Sequence, residues 1–219
     1  MHIFRRYPQS TVAVLPADHF IWDEHRFLAH VILAFRAVEQ NPGKIVLLGI
    51  EPDRVEPEYG YIIPDRNPCD SELPGFHSVR AFVEKPDPHA ARKLLDLGAL
   101  WNTMVMVFNV ETFLGFTRLV APRLYRCFEK IWDAIGTSQE KFVTEDVYRE
   151  IEPCNLSSDL LEAIASTHQS SLAVLPVNGV YWSDWGSAAR ILETVQHVRQ
   201  SGMVDADFVL LSQELGLIS

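Results

Sequence analysis

Asp18, in Val14-Leu15-Pro16-Ala17-Asp18-His19, stands just past the carboxyl end of a short apolar run. Ligands gather at that edge of open α/β sheets. A carboxylate there suits Mg²⁺, a hard ion that takes oxygen ligands and keeps substrate phosphates in its shell. Phe82-Val83-Glu84-Lys85-Pro86 sets an acid beside a base at the end of another apolar run. Glu84 can accept hydrogen bonds from ligand hydroxyls, and Lys85 is a compact point charge able to pair with phosphate. Asn102, after Trp101 and ahead of a strand expected over Met104 to Phe108, carries a donor and an acceptor suited to vicinal hydroxyls. Asp184, in Tyr181-Trp182-Ser183-Asp184-Trp185-Gly186-Ser187, falls in a turn before a helix, where Gly186 permits close backbone approach.

Taken singly, each stretch has a plainer account. Asp18 caps a turn, Glu84 and Lys85 form a solvated pair at a strand end, Trp101 belongs to the core, and Asp184 or Ser187 is a helix cap. The eight histidines show no metal-ligand spacing, and no nucleophile elbow, P-loop or reactive-cysteine setting occurs. Chemistry through a protein nucleophile therefore has no support.

The elements that must position these residues alternate between strand and helix. Thr11 to Leu15 lacks polar alternation and is expected as a strand buried on both faces. A helix over Glu24 to Glu39, with Asp23 as its cap, ends at Asn41-Pro42-Gly43. Strands are expected at Lys44 to Ile50, Tyr59 to Ile63, Ser78 to Val83 and Ser171 to Pro176. Helices are expected at Pro88 to Leu97, Glu111 to Leu119, Arg123 to Ile135, Glu145 to Ile151, Leu160 to Ala165 and Ser187 to Arg199. A loop holds Pro64, Pro68, Pro74 and Gly75, and the tail after Gly202 has no clear pattern. The alternation predicts an α/β fold with a mixed, mostly parallel sheet flanked by helices, in one domain spanning residues 1–219.

Composition narrows the partners. The 29 acidic against 19 basic residues give a net charge of -10, which argues against a nucleic-acid or anionic-membrane surface because both need a basic footprint. Cys69, Cys127 and Cys154 lie far apart, without a disulfide framework or zinc spacing, so the reducing cytoplasm is the expected location. No apolar stretch approaches the length of a membrane span.

The order of the motifs is more specific than any one of them. L-P-A-D-H, G-I-x-P, E-Y-G-Y-I, F-V-E-K-P, L-W-N and W-S-D-W-G-S, from about Val12 to Ser187, resemble the mannose-1-phosphate guanylyltransferases and their sugar nucleotidyltransferase relatives. The resemblance implies the nucleotide-diphospho-sugar transferase fold. It also implies formation of a GDP-mannose-like product from a sugar 1-phosphate and a nucleoside triphosphate, here mannose 1-phosphate and GTP, with release of pyrophosphate. Asp18 and Asp184 look like the carboxylates that hold the catalytic Mg²⁺, and Lys85 like the phosphate-contacting lysine. Gly60, with Tyr59 beside it, is similar to the glycine whose backbone lies against the sugar. Glu84 and Asn102 match the family's sugar-contacting acid and asparagine.

The chain departs from that pattern in three places. The family's opening strand and glycine-rich loop, of the form G-G-x-G-x-R-x-x-P, have no counterpart among the 11 glycines, so an N-terminally incomplete domain lacking the first strands is expected. Thr103-Met104 replaces a small Ser-Gly pair, so a methionine side chain is expected to crowd the ligand unless the register differs. Glu56-Pro57-Glu58 replaces Glu-Thr-Gly ahead of Tyr59, which implies a stiffer loop. An unpaired edge at Val12 to Leu15 predicts self-association into a homo-oligomer, or a partner chain. The competing expectation is a non-catalytic sugar-phosphate-binding or regulatory remnant that pairs with a complete enzyme.

Overall fold

The computed structural model describes residues 1–65 and 74–201. Cys69, Pro68 and the tail from Gly202 lie outside the described residues. Among the described residues, contacts divide the chain into two compact units, one within residues 1–15 and 25–178, the other within residues 16–24 and 179–201.

The larger unit is built on a six-stranded sheet. Its strands are β1 (Thr11–Val14), β3 (Ile45–Ile50), β4 (Tyr61–Asp65), β5 (His77–Val83), β6 (Leu100–Asn109) and β7 (Leu172–Val177), in the order β1-β6-β3-β7-β5-β4. Among the described residues only β3 and β7 run parallel, while β1–β6, β3–β6, β4–β5, β4–β6 and β5–β7 are antiparallel. The sheet is mixed, as the sequence predicts, but not mostly parallel. Strand–helix alternation suggests parallel crossovers, yet β6 runs against three neighbours and reverses the local sense. Its ten residues pair with β1 and β3 along most of their length, and with β4 through Leu100 and Trp101.

The strand core is what its apolar runs predict. Ile45, Val46, Leu47 and Leu48 of β3 are fully buried, and every residue of β6 except Met104 is buried. Strand β1 departs from its expected double burial. It lies at the sheet edge with β6 as its described neighbour, Thr11 to Ala13 are half-buried, and Val14 is exposed.

Helices of this unit are α1 (His2–Arg6), α2 (Glu24–Gln40), α3 (Pro88–Asp96), α4 (Val110–Val120), α5 (Pro122–Ala134), α6 (Glu140–Glu150) and α7 (Glu162–Thr167). Helix α2 buries Phe27, Val31, Ala34, Ala37 and Val38 at the spacing of one helical face. Asp23 has φ 68, so it does not take the extended backbone usual at an N-cap. The core of β3, β5, β6 and β7 continues into Leu160, Leu161, Ile164 and Ala165, with Phe113 and Phe116 of α4 packed against it. Burying such side chains contributes roughly 1.5–3 kcal/mol each. A satellite cluster of Ile131, Ile135 and Val147 joins α5 to α6, and α6 begins at Glu140, one turn before its predicted start.

Between α6 and α7 the chain forms a π-helix over Leu156–Leu161, capped by the Asn155 side chain, which accepts from the amides of Ser157 and Ser158. Helical spacing locates a helix here, but nothing in the sequence announces the wider winding.

The smaller unit is an antiparallel ribbon of β2 (His19–Trp22) and β8 (Tyr181–Asp184), followed by α8 (Ala188–Gln200). Aromatic rings hold it together: Phe20 stacks on Trp185 at 5.2 Å, and Tyr181 stacks on His197 of α8 at 3.9 Å.

Candidate functional site

In the larger unit, Gly60, Glu84 and Asn102 come together where β4, β5 and β6 meet. Gly60 directly precedes β4, and its carbonyl accepts from the Asn102 amide at 2.8 Å. The Tyr61 hydroxyl pins the preceding loop, accepting from the Glu56 amide at 3.0 Å and donating to the Glu56 carbonyl at 3.1 Å. A Cβ on residue 60 would fall 2.7 Å from Glu84 Oε2 and 3.1 Å from Phe82 Cζ. The glycine therefore lets the Glu84 carboxylate lie directly against the backbone.

Glu84 follows the end of β5 and is half-buried. Burial pushes its carboxyl above the ordinary range, and Glu162 pushes the same way. A hydrogen bond from Ser157 and the charge of Lys85 oppose the rise. The main-chain amide of Glu84 donates to Glu162 Oε1 at 3.1 Å. Lys85 is exposed and has φ 44, in the left-handed region that disfavours residues with a side chain. The turn is held on its far side by Asp87, which caps α3 by accepting from the Ala90 amide at 2.8 Å, with Pro88 opening the helix. A motif lysine kept at positive φ marks stored backbone strain of the kind that clusters at ligand sites.

Asn102 lies inside β6 and not ahead of it, because the strand begins at Leu100. Its side chain is buried: Oδ1 accepts from the Met104 amide at 3.1 Å, and Nδ2 is turned on the Met104 sulfur. Met104 has φ 56. It keeps the backbone shape a glycine would favour and adds a thioether, whose sulfur lies 3.3 Å from the Ser157 hydroxyl oxygen. The expected crowding by Met104 is therefore directed at Asn102 and Ser157. Sulfur is a weak acceptor, so a ligand hydroxyl would bind the Asn102 amide more strongly. Trp101 is core, 2% exposed, and meets the buried Tyr59 edge-on at 5.1 Å.

In the smaller unit, His19 pairs with Asp184 across the ribbon, and the Trp185 amide donates to the Asp18 carbonyl at 2.7 Å. Asp18 and Asp184, far apart in sequence, are thus neighbours. Asp184 is the last residue of β8, not a turn residue, and the helix cap is Ser187, which accepts from the Arg190 amide at 3.4 Å. The His19 imidazole registers both acids: burial lowers its pKa, while the charges of Asp18 and Asp184 pull it back up. Asp184 Oδ1 is ion-paired to Arg190 Nε, both side chains being mostly buried. Gly186 lies over this pair, since a Cβ there would come within 3.0 Å of Arg190 Nη2. The donors are hard oxygens and number two, a set that suits Mg²⁺, which binds through one or two carboxylates plus substrate phosphates and water.

Three residues of these sites carry no sequence motif. Arg190 could have been found from its place three residues after the Ser187 cap. Ser157 and Glu162 could not, because only the fold brings them to Glu84.

The nucleotidyl transferase family model matches residues 2–201. The xanthan biosynthesis protein XanB of Xanthomonas campestris is 30% identical over 201 residues, covering 90% of this chain and 40% of that protein. The mannose-1-phosphate guanylyltransferase RfbM of Salmonella typhimurium is 30% identical over 199 residues, covering 89% of this chain and 38% of that protein. A solved structure described as a mannose-1-phosphate geranyltransferase from Thermus thermophilus aligns with a TM-score of 0.70 at 25% identity, over 85% of this chain and 50% of that one. The chain thus spans about two fifths of the length of the curated relatives it matches. With a family model covering nearly all the described residues, the chain belongs to the nucleotidyl transferase family.

Proposed function

We propose that this chain carries the sugar-phosphate and metal sites of an enzyme that joins a sugar 1-phosphate to a nucleoside triphosphate, with mannose 1-phosphate and GTP as substrates, GDP-mannose as product and pyrophosphate as leaving group. The observation that supports it most is the Glu84 carboxylate seated against the Gly60 backbone beside Asn102, with Lys85 held at the next position in a strained turn. That combination offers acceptors and donors for vicinal hydroxyls next to a cation for phosphate.

In the proposed reaction a phosphate oxygen of the sugar 1-phosphate attacks the α-phosphorus of the triphosphate. The bond from that phosphorus to the bridging oxygen breaks, and pyrophosphate leaves with the electron pair. The protein supplies positioning and charge and no nucleophile. Glu84, Asn102 and the Gly60 backbone orient the sugar, and Lys85 neutralises phosphate charge. Asp18 and Asp184 would hold Mg²⁺, which when bound offsets charge on the phosphates. The Asp184–Arg190 ion pair must loosen for Asp184 to ligate with both oxygens.

Calorimetry with mannose 1-phosphate and with GTP, each with and without Mg²⁺, tests the proposal, alongside a pyrophosphate-release assay across several sugar phosphates and nucleotides. Both ligands should bind, and Lys85→Ala should weaken mannose 1-phosphate by tenfold or more. Sugar phosphate binding with no GTP binding would favour the non-catalytic remnant, and binding of neither would overturn the proposal.

A further inference from the structure

The π-helix Leu156–Leu161 ends where Glu162 begins α7, and the Glu162 amide donates to the Ser157 carbonyl, five residues back. That i+5 bond defines π winding, which recurs at functional sites. It has a geometric consequence. In an α-helix, residues five apart point about 140° away from each other. The wider turn brings Ser157 and Glu162 to one side, and both side chains then reach Glu84. The Ser157 hydroxyl bonds the Glu84 carboxyl, and Glu162 Oε1 accepts from the Glu84 amide. Ser157 also touches the Met104 sulfur, which is in turn bonded by Asn102. A single network therefore links both hydroxyl-recognising residues to one helical irregularity.

The network is anchored by the core. Leu160, Leu161 and Ile164 are buried in the sheet cluster, so the helix cannot rotate without exposing them. Ser157 itself is 4% exposed. Glu162 continues the winding directly into α7, its own amide already bonded to the Ser157 carbonyl. Its position on the Glu84 amide also fixes the backbone one residue before the strained Lys85.

We propose that Ser157 and Glu162 are positioning residues of the sugar-phosphate subsite: the π-helix presents both to Glu84, one holding its carboxyl and the other its backbone amide. This rests on the assignment of Glu84 as a sugar contact. Among the described residues, the charged groups acting on Glu84 are Lys85 from its own turn and Glu162 from α7.

The test compares Glu84→Ala, Glu162→Ala, Glu162→Gln and Ser157→Ala by calorimetry with mannose 1-phosphate, with urea unfolding to confirm that each variant is folded. Glu162→Ala should weaken binding about tenfold, the scale of one lost hydrogen bond to a charged group. Glu162→Gln keeps an acceptor oxygen for the Glu84 amide and should stay within about threefold of the parent. A purely structural role would show no such rescue. If Glu84→Ala loses binding while Glu162→Ala does not, the positioning proposal fails and the sugar subsite stands. If Glu84→Ala binds as the parent does, the subsite assignment itself fails.

Carbon-13 NMR titration of the ligand-free protein, with the Glu84 carboxyl identified by its loss in Glu84→Gln, decides the network independently of any ligand. Glu162→Gln should lower the Glu84 midpoint and Ser157→Ala should raise it. Midpoints unchanged in both variants would overturn the proposal, whatever the calorimetry shows.

Discussion

The Asn102 main-chain amide donates to the Gly60 carbonyl at 2.8 Å, tying the residue before β4 to strand β6. Asn102 and Glu84 therefore converge on one stretch of backbone, with Gly60 between them and no side chain at that position. Hydroxyl recognition at such a place depends on main-chain position as much as on side-chain identity.

Gly60→Ala tests this directly. The new Cβ would lie 2.7 Å from Glu84 Oε2 and 3.1 Å from Phe82 Cζ. The carboxylate is the softer of the two neighbours and should swing away. Overpacking of this kind costs about 1–3 kcal/mol, visible as a lower urea midpoint. Sugar phosphate affinity should fall by more than the stability change alone explains. Wild-type affinity in the folded variant would show that Glu84 need not touch Gly60.

The pH dependence of stability should carry the signature of Glu84. Burial, aided by Glu162, lifts its carboxyl above the ordinary value, so the native protein holds this proton more tightly than the unfolded chain. The group is neutral to stability below its unfolded pKa. Its penalty grows as pH rises from there to the raised folded value, and then stays constant. Glu84→Gln should remove that slope, so urea midpoints of variant and parent should diverge in the variant's favour as pH rises from about 4. Parallel curves would refute the raised pKa.

Arg190→Leu should act oppositely on stability and on metal binding. It removes the guanidinium from Asp184, at side-chain exposures of 15% and 24%. Breaking a partly buried pair costs about 1–2 kcal/mol, between exposed and fully buried cases. With that competitor gone, Asp18 and Asp184 should bind Mn²⁺, used as a paramagnetic stand-in for Mg²⁺, more tightly. Water-proton relaxation measures the affinity. Unchanged or weaker Mn²⁺ binding would mean that Asp184 serves Arg190 and not a metal.

The β1 edge should make the chain associate with itself. Val14 and Leu15 are 42% and 49% exposed beside a strand with one described neighbour. Sedimentation velocity should show concentration-dependent association, and Val14→Lys should suppress it, since charge on an edge strand opposes pairing. A monodisperse parent at high concentration would count against an adhesive edge.

The sequence by itself determined most elements of the larger unit and named the candidate site residues. Apolar runs fixed β3 and β7, helical spacing fixed the buried face of α2, and Pro88 with Asp87 fixed the start of α3. Motif order picked out Asp18, Gly60, Glu84, Lys85, Asn102 and Asp184. These signals are local, and local propensity is what a linear pattern records. Tertiary structure decided the rest. The ribbon that makes Asp18 and Asp184 neighbours consists of two four-residue strands too short for periodicity, and their pairing joins distant parts of the chain. The sense of the sheet turned on β6, whose antiparallel course no single segment encodes. Ser157 and Glu162 reach Glu84 through a winding defined by which carbonyl the Glu162 amide selects. Beside that bond, Leu160, Leu161 and Ile164 are buried in the sheet cluster through non-local contacts that residue order does not display.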